Sequence, residues 1–509
     1  MRRLPKCRGW TSRAWPILVV LVTSPAAAAA PSQAIIIEGS ITRDDHQTYV
    51  AREFEVPEDV QGVSVDFTHD GAAHRTVIDL GLIDPAGFRG WTGSNKNHID
   101  ISAFDATPGY RNGPVLSGTW TLLLGVPNIR EGVETHYKAT VTLHEKYDLS
   151  DALHPGDEPI DASARWYRGD LHAHTGHSDG YCLSEKGVSV PCPVHLSVEA
   201  GIAAGLDFLA ITDHNTLSHH QSLRELQAYY DDILLVPGRE ITTFYGHANV
   251  FGAAGFLDHR IGPTTSRSAE DLLGEVRAQE ALISINHPEL PSGEDCMGCG
   301  WRLTDVDYRS VDSIEVVNGG TWKHLAGTRE AEGGIAFWQS LLDRGIRITA
   351  VGGSDNHDPK LSRSDRQSPI GVPATVVYAA SLTQKDLLAG IRSGRVFVDL
   401  SDAKGRGVYL SASAGGTSAQ MGGNLFVEEG TPVNFEIRLS GGEPGDMLEL
   451  ISGNGKPLQL EDPQIESADA IRTHDLISDG GYDWVRPNVR NRDGRLMLLG
   501  NPVYLNAND

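Results

Sequence analysis

Cysteine is scarce in this sequence, with five residues in 509, so a small disulfide-dense scaffold is excluded. Basic residues are also short. Lys and Arg number 43 against 67 Asp and Glu, for a formal net charge of −24. That balance argues against a nucleic-acid backbone as the main partner, because phosphate contacts need clustered Lys and Arg. Long apolar runs are missing too. The one near the N-terminus, Ile17 to Val22, is too short to span a bilayer comfortably, and no later segment reads as transmembrane. No internal repeat is evident. What remains is ordinary globular material, 40% apolar and 7% aromatic, in a chain long enough for two to four domains.

The short apolar run has a specific setting. Arg2, Arg3, Lys6, Arg8 and Arg13 precede it, and Ala28-Ala29-Ala30 follows. This is the layout of an export signal over residues 1–30, which implies a periplasmic or secreted protein. Cys7 lies ahead of the apolar core and is not placed to carry a lipid. Four cysteines then remain: Cys182, Cys192, Cys296 and Cys299. An even number in an oxidising compartment suggests disulfides, and the local pairs Cys182–Cys192 and Cys296–Cys299 are the simplest. A four-thiolate zinc site is the alternative that the Cys296/Cys299 spacing leaves open.

Residues 35–145 read as a β-sandwich. Alternating runs such as Gly62–Phe67 and Gly118–Leu124 are separated by Gly, Asn, Asp and Pro turns. The Leu116–Thr121 stretch looks like the end of a jelly-roll module. A polar linker, 146–164, follows. From 165 to 400, short apolar runs alternate with helical stretches: Phe208–Ile211, Ile233–Val236, Ala281–Ile285, Ile314–Val317, Ile346–Val351 and Thr375–Tyr378. That alternation predicts a parallel sheet with crossover helices, of (β/α) barrel type. Residues 401–509 return to β-type alternation and predict a small C-terminal β domain.

The chemistry concentrates where the central strands should end. Asp170-Leu171-His172-Ala173-His174-Thr175-Gly176-His177-Ser178-Asp179-Gly180 follows the first strand-like run, and in extended chain residues i and i+2 share a face. His172 and His174 can thus reach one point. Asp213 and His214, Glu240, His247, His287, Asn318, and Asp355 with His357 recur after later runs. Strand ends in such barrels face one shared mouth. Twelve of the 20 histidines lie between 172 and 357, and the seven of them in these motifs are hard to explain as core residues, since each would need its own hydrogen-bond partners. The candidate ligands are His172, His174, Asp179, His214, Glu240, His247, His287, Asp355 and His357. This set of His, Asp and Glu without Cys suits Zn, Mn or Fe. Nine candidates exceed what one ion uses, so two or three divalent metal ions are expected, with hydrolysis by a metal-bound hydroxide as the natural reaction.

Asp170–Thr175 with Ser178-Asp179-Gly180, Thr212-Asp213-His214, Gly238-Arg239-Glu240, Asn286-His287-Pro288 and Ser354-Asp355-Asn356-His357 resemble, in order, the motifs of the PHP (polymerase and histidinol phosphatase) superfamily. Gly246–Val250 and the tail Asn501–Tyr504 look most like its CehA/McbA branch, named for carbamate-ester hydrolysis. The resemblance implies a distorted (β/α)7 barrel over 165–400, multi-domain with the flanking β regions. It also implies one metal site from His172, His174, Glu240 and Asp355, with Glu240 bridging. His247 and His287 would hold a second ion. Asp179, His214 and His357 would hold a third, with His177 as an alternative to Asp179. Asp213 and Asn318 are expected beside the ligands or at the mouth. Arg239, Lys323, Lys360 and Arg363 are the cations available to a phosphoester, and Trp301, Trp322 and Tyr245 could form an aromatic wall. The expected function is an exported multinuclear hydrolase of small ester-type substrates, phosphoesters first and carbamate or carboxyl esters as the alternative. A non-catalytic, metal-stabilised surface-binding protein is the reading from another class. Oligomeric state is not legible.

Overall fold

The computed structural model describes residues 33–145, 159–293 without 254, 263, 264 and 266, 298–320, 333–361, 368–401 and 404–508. The expected export signal, residues 146–158 of the linker, Cys296, Trp322, Lys323 and Arg363 lie outside these. No described helix is long and apolar enough to cross a membrane.

The first eight strands are β1 (Gln33–Ile41), β2 (Tyr49–Val56), β3 (Gly62–His69), β4 (Val77–Asp84), β5 (Gly87–Thr92), β6 (His98–Ser102), β7 (Gly118–Asn128) and β8 (Thr135–His144). They form two antiparallel four-stranded sheets, ordered β1-β8-β3-β6 and β2-β7-β4-β5. Period-2 patterning drives the arrangement: in β8, Tyr137, Ala139, Val141 and Leu143 are buried while their neighbours are less so. One shared core joins the sheets, with Val65, Leu82, Ile101, Trp120 and Leu122 fully enclosed. The Trp120 indole N–H donates to Leu116 O at 2.8 Å, satisfying the one polar atom of that ring.

The central region contains β9 (Arg165–Asp170), the small hairpin β10 (Tyr181–Leu183) and β11 (Ser189–Pro191), α1 (Val194–Ala203), β12 (Phe208–Ile211), α2 (His220–Gln227), β13 (Leu234–Thr243), β14 (Gly246–Phe251), α3 (Ala269–Ala278), β15 (Leu282–Ile285), β16 (Ser313–Asn318), α4 (Gly333–Asp343), β17 (Thr349–Gly353), β18 (Ala374–Ala379), α5 (Gln384–Arg392) and β19 (Val396–Asp399). The strands pair in the order β17-β16-β15-β14-β13-β12-β9-β18-β19. The wall closes past the end of β17, where Asp355 N donates to His172 O at 2.9 Å and His174 N to Asn356 O at 2.8 Å.

The expected sevenfold alternation of strand and helix is not what the structure shows. The chain is multi-domain and strand-rich, with five α-helices among the described residues. β9, β12 and β13 are parallel, as are β15, β16 and β17, but β14 runs antiparallel between them. The cause is local. Only Phe244 and Tyr245 separate β13 from β14, and Gly246 takes φ +140, which a residue with a Cβ rarely adopts. The hairpin inserts an unexpected strand, β14, ahead of the crossover helix α3. Nor does the sheet stop near residue 400. β19 pairs with a strand at Leu496–Gly500, which pairs with Asp483–Arg490. Phe397 shares a core with Val408, Phe435 and Val485. The C-terminal strands thus extend the central sheet, and a further four-stranded sheet (Thr417–Gln420, Gly407–Ala414, Pro432–Ser440, Ala470–Ile477) contributes to that same core.

Candidate metal centre

Four strand ends and two strand interiors deliver polar side chains to one point. His172, His174 and Asp179 follow β9, His214 follows β12, and His287 follows β15. Asp355 and His357 follow β17, Glu240 lies within β13 and His247 within β14. Glu240 is central and buried. Its Oε1 lies 3.5 Å from His172 Nε2 and 3.4 Å from both His247 Nδ1 and His287 Nε2. Its Oε2 lies 2.7 Å from His214 Nδ1 and 3.6 Å from His174 Nε2. Asp355 Oδ1 is 3.3 Å from His172 Nε2 and 3.1 Å from His174 Nε2, and these two nitrogens are 3.1 Å apart. At the open edge, Asp179 Oδ1 meets His214 Nε2 at 3.5 Å and His357 Nε2 at 3.4 Å.

Three overlapping sets can each hold an ion: His174 with Asp179, His214 and His357; His172 with His174 and Asp355; and His172 with Glu240 and His287. The fit is geometric. Ligand atoms about 2.0–2.2 Å from a tetrahedral ion stand roughly 3.3–3.6 Å from one another, and most of the contacts above fall within or just below that band. The donor chemistry agrees, since imidazoles and carboxylates without thiolate suit divalent first-row metals. His247 touches Glu240 but belongs to none of the three sets, and its Nε2 is buried without a hydrogen-bond partner.

Three of the six rings are held from behind. His172 Nδ1 faces Glu315 Oε1 at 3.0 Å, His287 Nδ1 donates to Cys299 O at 3.2 Å, and His357 Nδ1 to Asp355 O at 2.9 Å. With the proton fixed on Nδ1, the Nε2 lone pair of each points into the centre. The backbone is strained at the same place. His287 (φ +27) and Asp355 (φ +52) occupy the sparsely populated left-handed side, as does Asn215 beside His214 (φ +52), at a cost on the order of 1 kcal/mol or more each.

Electrostatics follow from this crowding. Burial favours a neutral Glu240, but the imidazoles of His214, His172 and His247 outweigh it and hold the carboxyl well below its usual range. Burial likewise opposes charge on His214, yet Glu240 and Asp179 push its pKa up to about 10. His174 goes the other way, to about 4, because burial and the neighbouring His357 and His214 disfavour its charge. A cation placed among these groups supplies the positive charge that the carboxylates otherwise draw from protonated rings.

Several expected residues sit elsewhere. Arg239 neighbours Glu240 on β13, so period 2 turns it to the opposite face. It is buried there, donates to Gly255 O at 2.9 Å, and burial lowers its pKa to about 10. It does not reach the mouth. Asp213 points away from the centre. It accepts from Thr175 N (2.8 Å), Thr175 Oγ1 (2.7 Å) and Ser178 Oγ (2.6 Å), thereby fixing the loop that carries Asp179. Asn318 donates to Glu315 Oε2 at 3.0 Å and Asp355 Oδ2 at 3.3 Å, so it orients carboxylates. His177 is exposed and pairs with Ser218 Oγ at 2.8 Å, outside the cluster. Trp301 packs against the core with its N–H 3.2 Å from Tyr308 Oη, and Tyr245 lies under the Arg302 guanidinium at 5.9 Å.

Glu315 escaped the sequence reading, and Asn286 stood there only as part of a motif, with no role given. Glu315 binds His172 and also accepts from His287 N at 3.0 Å, and Asn286 Nδ2 donates to Glu240 Oε1 at 2.8 Å. The available signal was a lone acid inside the apolar run Ile314–Val317.

No established family profile matches the chain. An uncharacterized protein of Methanocaldococcus jannaschii is 29% identical over 153 residues, which is 30% of this chain and 81% of that protein. Among solved structures, a two-domain protein of Bacteroides vulgatus, described as containing a candidate PHP-like metal-dependent phosphoesterase, is similar with a TM-score of 0.36 and 18% identity, over 67% of this chain and 95% of its own. A candidate metal-dependent phosphoesterase of Bifidobacterium adolescentis gives a TM-score of 0.28 and 16% identity, over 44% of this chain and 94% of its own. At these values the likeness by itself assigns no activity.

Proposed function

We propose that this chain is an exported PHP-type hydrolase that uses two or three divalent metal ions to cleave ester-type bonds, phosphoesters foremost. One observation carries the reading. The two oxygens of buried Glu240 face different histidines, Oε1 towards His172, His247 and His287, and Oε2 towards His174 and His214. A carboxylate so placed is suited to bridge adjacent ions. Bound there, such ions supply Lewis acidity and lower the pKa of water.

The chain's own residues prepare that chemistry. Glu315 and Asn318 keep His172, His287 and Asp355 aimed inward. Asp213 fixes the Thr175–Ser178 turn. Asp179 is the most exposed of the nine candidates, with 57% of its side chain open, so substrate meets the centre at the Asp179–His214–His357 edge. Export is supported by the Cys182–Cys192 disulfide in the hairpin beside this edge, where Tyr181 N donates to His357 O at 2.7 Å.

A carbamate or carboxyl-ester substrate is the second reading, and the position of Arg239 favours it. With that cation turned away and Lys360 exposed, its Nζ 3.5 Å from Leu183 O, a neutral ester is served as well as an anion. Hydrolysis of bis-p-nitrophenyl phosphate, 1-naphthyl methylcarbamate and p-nitrophenyl acetate after loading with Zn, Mn or Fe separates the cases. Phosphoester turnover that a chelator abolishes and metal restores is expected. Turnover of the carbamate or acetate alone selects the second reading, and none with any loaded metal removes the enzyme reading.

A further inference from the structure

The outer face of the sheet β2-β7-β4-β5 carries an aromatic trough built on two glycines. Gly81 on β4 pairs with Trp91 on β5, while Gly125 on β7 pairs with Tyr49 on β2 and Asp79 on β4. A Cβ at Gly81 would come within 2.5 Å of the Trp91 ring, and one at Gly125 within 2.8 Å. The indole therefore lies along the sheet over both glycines. Tyr49, 71% exposed, meets it edge-on with ring centroids 5.9 Å apart, and Phe88, 49% exposed, lines the same cavity of about 510 Å³. Gln47 and Asp79 supply polar groups in its lining, with Asp79 Oδ1 accepting from Ser94 N at 2.8 Å.

The fold does not ask for this. Solvent-facing positions of an antiparallel sheet ordinarily carry polar side chains, and clustered exposed aromatics mark a binding surface. The charge pattern narrows the ligand. No Lys or Arg is among the residues lining the cavity, and Glu53 and Glu55 alternate outward along β2 from Tyr49. Polyanions such as nucleic acid or acidic glycans are repelled. A peptide strand would seek an unpaired sheet edge rather than a face.

We propose that this trough binds a neutral polysaccharide chain. A pyranose ring presents C–H bonds on its face and hydroxyls at its rim. The C–H face is apolar with a partial positive charge, which matches the negative π face of an indole. Gln47 offers both donor and acceptor to hydroxyls, and the Asp79 carboxylate offers acceptors. The inference stands apart from the metal centre and does not depend on the activity assigned to it.

Affinity electrophoresis of the full chain tests it, with hydroxyethylcellulose, xylan, galactomannan and laminarin as neutral probes and polygalacturonate and dextran sulfate as polyanions. Retardation by at least one neutral glycan and by neither polyanion is expected. Trp91→Ala should weaken that retardation about tenfold or more, and Trp91→Phe less. Tyr49 is largely exposed, so Tyr49→Ala keeps the test open should Trp91→Ala fail to fold. No retardation by any neutral glycan, equal retardation by polyanions, or binding unchanged in the Tyr49 and Trp91 variants would overturn the proposal.

Discussion

Glu315→Gln changes one atom of a buried side chain that holds three partners. Oε1 faces His172 Nδ1 at 3.0 Å, and Oε2 accepts from His287 N and Asn318 Nδ2, each at 3.0 Å. A glutamine amide has one acceptor and one donor end. Suppose its oxygen stays with His287 and Asn318. Its NH2 then faces His172 Nδ1, which must accept, and the ring proton moves to Nε2, the nitrogen that faces Asp355 and His174. That tautomer cannot ligate from Nε2. Suppose instead that the oxygen faces His172. The NH2 then opposes two donors. The first arrangement keeps three contacts but with the wrong tautomer at His172, and the second forfeits two hydrogen bonds, about 1.5–3 kcal/mol each when the acceptor is charged. Loss of such an orienting partner typically weakens metal affinity about 10–100-fold. Competition of the metal-free protein with a chromophoric chelator reads this directly, with circular dichroism confirming the fold. Affinity equal to that of the unaltered chain would refute the reasoning.

Three further outcomes are expected. His98 lies between Asp100 (2.9 Å) and Asp66 (2.7 Å), and the Asp100 hydrogen bond leads in raising its pKa to about 9. Its stabilising contribution is therefore full below about pH 6.5 and lost as pH rises through about 9. The unfolding temperature of the unaltered chain should fall more over that window than that of His98→Gln, and parallel curves would refute this. Arg224 on α2 pairs with fully buried Asp105, in the loop after β6 of the N-terminal sandwich. Arg224→Ala leaves that carboxylate buried and should cost about 3–5 kcal/mol in a denaturant titration, while replacing both residues by Leu should recover most of it. The Cys182–Cys192 disulfide closes a short loop with a sequence separation of 10. Replacing both residues by Ser should cost about 2–3 kcal/mol by calorimetry.

Between 165 and 400 the apolar runs marked most of the parallel strands, but not β10, β11, β14 or β19. The apolar run Phe208–Ile211 forms β12 with those bounds, and α5 begins after Thr383, which accepts from Asp386 N at 3.1 Å as its cap. Strand direction was not legible. Gly246–Phe251, with His247 and Asn249 inside it, was not read as a strand at all, and a run's apolar pattern looks alike in either direction. The join between β19 and Leu496–Gly500 spans about a hundred residues and leaves no local mark. At the centre, histidines stood out because they follow apolar runs. Glu315 was read as part of a strand, and Arg239 was placed at the mouth although adjacent strand residues face opposite ways.

Metal content of the purified full chain, measured by elemental mass spectrometry after loading with Zn, Mn or Fe and removal of free ion, tests the central claim most directly. At least two ions per chain are expected. His174 belongs to two of the three candidate sets, so His174→Ala should lower the count and not merely the affinity of one ion. A loaded chain that retains less than one ion, or a His174→Ala variant that retains as many as the unaltered protein, would contradict the account.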